Sequence, residues 1–133
     1  MSPGPVVVDA SALVGLLIDP SLSGVIADRL SSSQLHAPDH LPVELSNVLR
    51  RLRNAGDLGE TGARLALDGF WRLPIQLWPY ESLHERSWQL GHNLSSYDAA
   101  YVALAERLGA PLLTLDARLS RASGPTCAIE VVG

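Results

Sequence analysis

Strand-like and helical segments alternate along this chain. That alternation predicts a three-layer α/β domain, with helices on both faces of a mostly parallel sheet of about five strands. Three observations carry the expectation. Short apolar runs, two of them closing on an aspartate, are interleaved with segments of helical periodicity. Hairpin signals are few, so successive strands need crossovers rather than tight turns. The chain has 133 residues, 47% of them hydrophobic, with no internal repeat and no linker, which points to one domain over residues 1–133.

The elements follow in order. Pro5-Val6-Val7-Val8-Asp9 is β-branched and reads as a buried strand. Ala10 to Ile18 reads as a helix that Asp9 or Ser11 can cap and Asp19-Pro20 stops. A second helix is expected over Ser23 to Leu30, then a brief strand, Gln34 to Ala37, closed by Pro38. From Leu41 to Arg53 the residues Leu41, Leu45, Val48, Leu49 and Leu52 recur at steps of three and four, one buried helical stripe. Gly56 lies where a C-cap needs glycine. Glu60 to Arg72 supports a further helix, broken by Pro74, and Ile75 to Trp78 a third strand. Ser82 to Leu94 is expected to be helical, with Leu83, Trp88 and Leu90 as packing residues. Ala99 to Leu108 forms the helix behind Asp98, ended by Gly109. Pro111 to Asp116 is the fourth strand, followed by a helical turn over Ala117 to Ala122 and a last strand over Ala128 to Val132.

Composition narrows the function classes. No apolar segment reaches the roughly 20 residues that span a bilayer, and no secretory signal opens the chain, so a cytoplasmic protein with no membrane partner is expected. The single cysteine, Cys127, allows no intrachain disulfide and no thiolate zinc cluster, and reads as a buried, inert thiol. A net charge of −4 argues against coating nucleic acid by charge alone. All ten basic residues are arginine, and Arg50, Arg51 and Arg53 cluster. Their planar forks suit phosphate, although a solvated helix face explains them equally well. There is no glycine-rich phosphate loop, and without lysine the chain lacks a part that a phosphoacceptor receiver domain needs. Ser11 stands where a dehalogenase-like phosphatase would carry its second aspartate. His36, His40, His84 and His92 form no metal-binding pattern and read as core or solvent-facing residues.

Four acids remain. Asp9 and Asp116 end predicted strands, Asp98 begins a helix, and Glu44 lies in the first turns of another. In open parallel sheets ligands bind beyond the carboxyl ends of the strands, so these four can converge on one crevice. Taken singly each has a plainer explanation: helix capping for Asp9 and Asp98, solvation for Glu44, turn formation for Asp116. Together they would repel one another unless a cation joined them. Carboxylate oxygens without histidine or cysteine favour Mg²⁺ or Mn²⁺ over zinc. Such an ion activates water and stabilises the charge on an attacked phosphodiester, so metal-assisted hydrolysis of single-stranded nucleic acid is the expected chemistry.

The segments Val7-Val8-Asp9-Ala10-Ser11, Pro42-Val43-Glu44-Leu45, Ser96-Tyr97-Asp98-Ala99-Ala100 and Leu113-Thr114-Leu115-Asp116 together resemble the PIN-domain family, and more narrowly its VapC-type toxins of bacterial toxin–antitoxin pairs. The resemblance covers nearly the whole chain. It implies a PIN-like fold and a Mg²⁺- or Mn²⁺-dependent endoribonuclease, usually a homodimer, silenced by a VapB-like antitoxin whose tail lies near the active site. Asp9, Glu44 and Asp98 match the three acidic positions of the family and Asp116 its more variable fourth. Ser11 and Thr114 match hydroxyl positions that support the acids. Arg50, Arg51 and Arg53 become candidates for RNA or antitoxin contact. Apolar surface around Phe70 and Trp71 serves either the core or a groove for a partner helix. A non-catalytic PIN-like binding module, and a phosphatase of small substrates with a deep pocket, are the alternatives.

Overall fold

The structure is a computed structural model and describes residues 3–133. Five strands, β1 (Gly4–Val8), β2 (Ser33–Pro38), β3 (Ile75–Trp78), β4 (Leu112–Thr114) and β5 (Ile129–Val131), form one sheet in the order β3-β2-β1-β4-β5. Every pairing is parallel. Among the described residues seven α-helices accompany it: α1 (Ala10–Ile18), α2 (Ser23–Leu30), α3 (Leu41–Asn54), α4 (Glu60–Arg72), α5 (His84–Gln89), α6 (Ser96–Leu108) and α7 (Ala117–Arg121). Among the described residues no single helix is long and apolar enough to cross a membrane.

β1 is the central strand, and Val6, Val7 and Val8 are all fully buried, as a strand covered on both faces requires. α6 is buried over seven consecutive residues, Ala99 to Ala105, so it is a core helix rather than an amphipathic one. Its alanines let it approach the sheet closely. Gly15 lets α1 pack closely against α2 and the residue after β4, since a Cβ there would meet Ile26 at 2.9 Å and Leu115 at 3.1 Å. Gly109 ends α6 in the left-handed conformation at φ 60°, which favours glycine.

The strand order places the site. From β1 the chain moves outward through β2 to β3, then returns to the other side of β1 for β4 and β5. The winding therefore reverses between β1 and β4. Right-handed crossovers then send the flanking connections to opposite faces, and a crevice opens beyond the carboxyl ends of these two strands.

Two expectations are corrected. Residues 82–94 do not make one helix: a 3₁₀ turn, Tyr80–Ser82, leads into the short α5, which ends at Gln89. Leu83 and Leu90 are buried as expected, but Trp88 is 85% exposed. Asn93 donates to the hydroxyl and carbonyl of Ser123, so the chain turns there to meet the C-terminal loop. α6 also begins earlier than expected. Ser95, not Asp98, caps it, accepting from the Asp98 amide at 3.1 Å.

Candidate active site

Asp9 follows β1 immediately and caps α1. One carboxylate oxygen, Oδ1, accepts from the Ala12 amide at 2.9 Å and from the Ser11 hydroxyl at 2.7 Å; the other accepts a short bond from the Thr114 hydroxyl. Each hydroxyl has one proton, and each commits it to Asp9. The 3.2 Å approach of Ser11 to Thr114 is therefore a contact between acceptors. It is tolerated because Ser11 Oγ accepts from the Leu115 amide and Thr114 Oγ1 from the Asp116 amide. Three acceptor positions of the carboxylate are filled and about one remains for a ligand. Burial raises the Asp9 pKa, the three hydrogen bonds oppose it, and Asp98 adds a smaller upward push.

Glu44 lies in the first turn of α3, where the helix dipole favours an acid. Its Oε1 accepts from the buried Tyr101 hydroxyl at 3.4 Å, and its Oε2 lies 3.7 Å from His40 Nε2. Burial first, then the charges of Asp9 and Asp98, push its pKa up to about 7. Asp98, third residue of α6, is half-buried and also raised, by burial first and then by Asp116, against relief from the Ser95 hydroxyl, Arg118 and His40.

Asp116 differs. It caps α7, and both its oxygens are held by Arg118, Nε to Oδ1 at 3.0 Å and Nη2 to Oδ2 at 2.7 Å. That fork lowers its pKa. The four acids thus separate into three held above the usual carboxylate range and one neutralised by arginine. Electrostatic coupling links Asp9 and Glu44 to Asp98, and Asp98 in turn to Asp116, so Asp9, Glu44 and Asp98 share one neighbourhood and Asp116 adjoins it through Asp98. Among the described residues, however, no three Asp, Glu, His or Cys side chains close around a common point tightly enough to enclose an ion.

A divalent cation fits this donor set. Among the described residues no arginine forms an ion pair with Asp9, Glu44 or Asp98, and the charges of Arg118 and His40 offset only part of the burial and repulsion at Asp98, whose pKa stays raised. Mg²⁺ takes one or two carboxylates and completes its octahedron with waters, so an open cluster suits it better than a closed cage.

The remaining candidates divide. Arg53 pairs with Glu60 at 3.2 Å and ties α3 to α4. Arg50 and Arg51 are exposed, and Arg50 lines an open hollow beside Glu44. Phe70 is 3% exposed and belongs to the core, whereas Trp71 is 66% exposed on the rim of that hollow. Four side chains at the site escape sequence reasoning: His40, Ser95, Tyr101 and Arg118. Two carried a signal, because His40 precedes Glu44 by four residues and Tyr101 follows Asp98 by three, each a same-face helical spacing.

The sequence model of the PIN domain matches residues 6–125. The chain is 40% identical over 127 residues to ribonuclease VapC9 of Mycobacterium tuberculosis, covering 96% of this chain and 98% of that one. It is 41% identical over 128 residues to ribonuclease VapC1 of the same organism, covering 95% and 96%. In three dimensions it superposes on a chain of the VapBC2 complex of Rickettsia felis, bound to a DNA fragment from its promoter, with a TM-score of 0.67. Identity there is 14%, over 96% of this chain and 98% of that one, so the likeness is one of fold.

Proposed function

This chain belongs to the PIN-domain family, among the VapC ribonucleases, and we propose that it is a Mg²⁺- or Mn²⁺-dependent endoribonuclease, the toxin of a toxin–antitoxin pair. The observation that supports the reading best is the set of coupled carboxylates with raised pKa values, Asp9 after β1, Glu44 on α3 and Asp98 on α6, none of them held in an arginine ion pair. These three would hold the ion, with Asp116 at the rim.

When bound, such an ion supplies charge that makes water a better nucleophile and stabilises the attacked phosphodiester. The chain's own residues do the rest. Ser11, Thr114 and the Ala12 amide fix both oxygens of Asp9, so that the carboxylate is aimed before any ligand arrives. Tyr101 stays protonated, because burial and the neighbouring Glu44 and Asp9 raise its pKa, and so it remains a donor to Glu44. Arg118 is exposed, and with Nε and Nη2 held by Asp116 its remaining Nη1 is placed to meet an RNA phosphate from the Asp116 side.

Relatives at 40% identity are named ribonucleases, and a structural neighbour is crystallised as a VapBC assembly, which supports RNA as substrate and a VapB-type antitoxin as partner. We propose a cytoplasmic homodimer as the working state, the dimer being what the family resemblance implies. The test is cleavage of RNA by the purified protein. Cleavage should stop with EDTA, return with Mg²⁺ or Mn²⁺, and be absent in Asp98→Asn. Full activity in that variant would refute the assignment.

A further inference from the structure

Beside Glu44 lies an open hollow of about 820 Å³, bounded by α3, the end of α4 and the start of α6. Its rim carries Val43, Trp71 and Tyr97, exposed by 73%, 66% and 62%. Three large apolar side chains left in solvent around one concavity mark a binding surface rather than chance exposure. Beside His40 and Ser46, three polar side chains of the hollow lie in a row along one face of α3. Glu44, Asn47 and Arg50 are successive at steps of three, so an amide and then a guanidinium lead away from the acidic site at roughly 4.5 Å per step.

We propose that this hollow receives one unstacked nucleobase of the RNA strand, next to the phosphodiester at the acidic site. The inference rests on the ribonuclease reading above and deepens it by naming how the strand is held. Aromatic faces stack any base, an amide offers a paired donor and acceptor to a base edge, and guanidinium follows the anionic backbone. Trp71 is presented for this. Its ring packs edge-on against buried Phe70, with centroids 4.9 Å apart, which anchors it while more than half of it stays open. Tyr97 is steadied by the tilted ring of His40, with centroids 5.4 Å apart. The size of the hollow is that of a small-molecule site. A groove for an amphipathic helix would instead need a row of aliphatic anchors over several turns, and only Val43 and Pro42 are of that kind here.

The probes are four labelled single-stranded hexaribonucleotides, one of each base, and an abasic oligomer of the same length, titrated against the Asp98→Asn protein by fluorescence anisotropy. Trp71→Ala and Tyr97→Ala, each added to that background, should weaken binding of the base-bearing oligomers about tenfold and leave the abasic oligomer unaffected. Asn47→Ala should change the ranking of the four bases. Equal loss for abasic and base-bearing strands would overturn the proposal by reducing the residues to a structural role. Unchanged affinity for every strand would overturn it in favour of a protein occupant of the hollow. If the wild-type protein cleaves RNA with Mg²⁺ while these variants bind as the parent does, only the base site has failed. If the wild type neither binds nor cleaves RNA, the ribonuclease reading fails and the base site with it.

Discussion

Thr114 shows how much of this site depends on a single proton. Replacing it with valine leaves the buried Asp9 carboxylate one donor short, and we expect a loss of about 1–3 kcal/mol in urea denaturation at neutral pH. Misaiming of Asp9 should also lower RNA cleavage roughly 10- to 100-fold. Asp98→Asn should separate the two properties. It removes a charge that Asp9 and Glu44 both feel, so the metal-free protein should gain up to about 1 kcal/mol in the same measurement while cleavage falls by about two orders of magnitude or more. Glu44 makes stability depend on pH with a definite sign. Its folded pKa is raised from 4.5 to about 7, so in that window the folded chain binds more protons than the unfolded one. Its contribution is fully present below about 4.5 and lost as pH rises through 7. Thermal midpoints of the metal-free wild type should fall across this interval, and those of Glu44→Gln should fall less. At this scale the acids themselves were legible, because each lies at an element end. The Arg118 fork on Asp116 was not, since two residues in a turn face each other only in particular backbone conformations. Nor was the choice of cap for α6: Ser95, Ser96 and Asp98 all suit that position, and local preference does not rank them.

Elements bounded by strong punctuation have the expected limits. α1, α2, α4 and β3 begin and end where Asp19-Pro20, the Ser31–Ser33 run and Pro74 imply. α5 was legible only in part. Leu83 and Leu90 are two helical turns apart, and that spacing satisfies a helical pattern whether or not the helix continues beyond them. What shortens α5 is tertiary. Arg86 forks onto Glu106 of α6 at 2.6 and 3.2 Å and reaches the Gly124 carbonyl at 3.0 Å, while Glu106 also accepts from the Thr126 amide. The pair joins α5, α6 and the C-terminal loop behind the site. Because Glu106 is mostly buried, Arg86→Ala should destabilise the fold by about 1–3 kcal/mol. A lowered urea midpoint with an unchanged slope would confirm this.

For the molecule as a whole, alternation of strands and helices was enough to predict the fold class, but the order β3-β2-β1-β4-β5 was not. Strand order is decided by which crossovers pack, and no local pattern records it. Since ion and proton compete for the same oxygens, Mg²⁺ should raise the thermal midpoint in a concentration-dependent way, and more at pH 8 than at pH 5. An equal rise at both would argue that the ion binds elsewhere. The position of β4 has a consequence in time. Asp9 lies near the start of the chain and its partner Thr114 is 105 residues away, in a strand that pairs with β1 directly. A chain growing on the ribosome has already made Asp9, Glu44 and Asp98 long before β4 exists. Until β4 pairs, β1 has an open edge and Asp9 lacks its Thr114 bond. The site is therefore assembled last, and a product cut short before residue 112 would carry three of the four acids and no working centre.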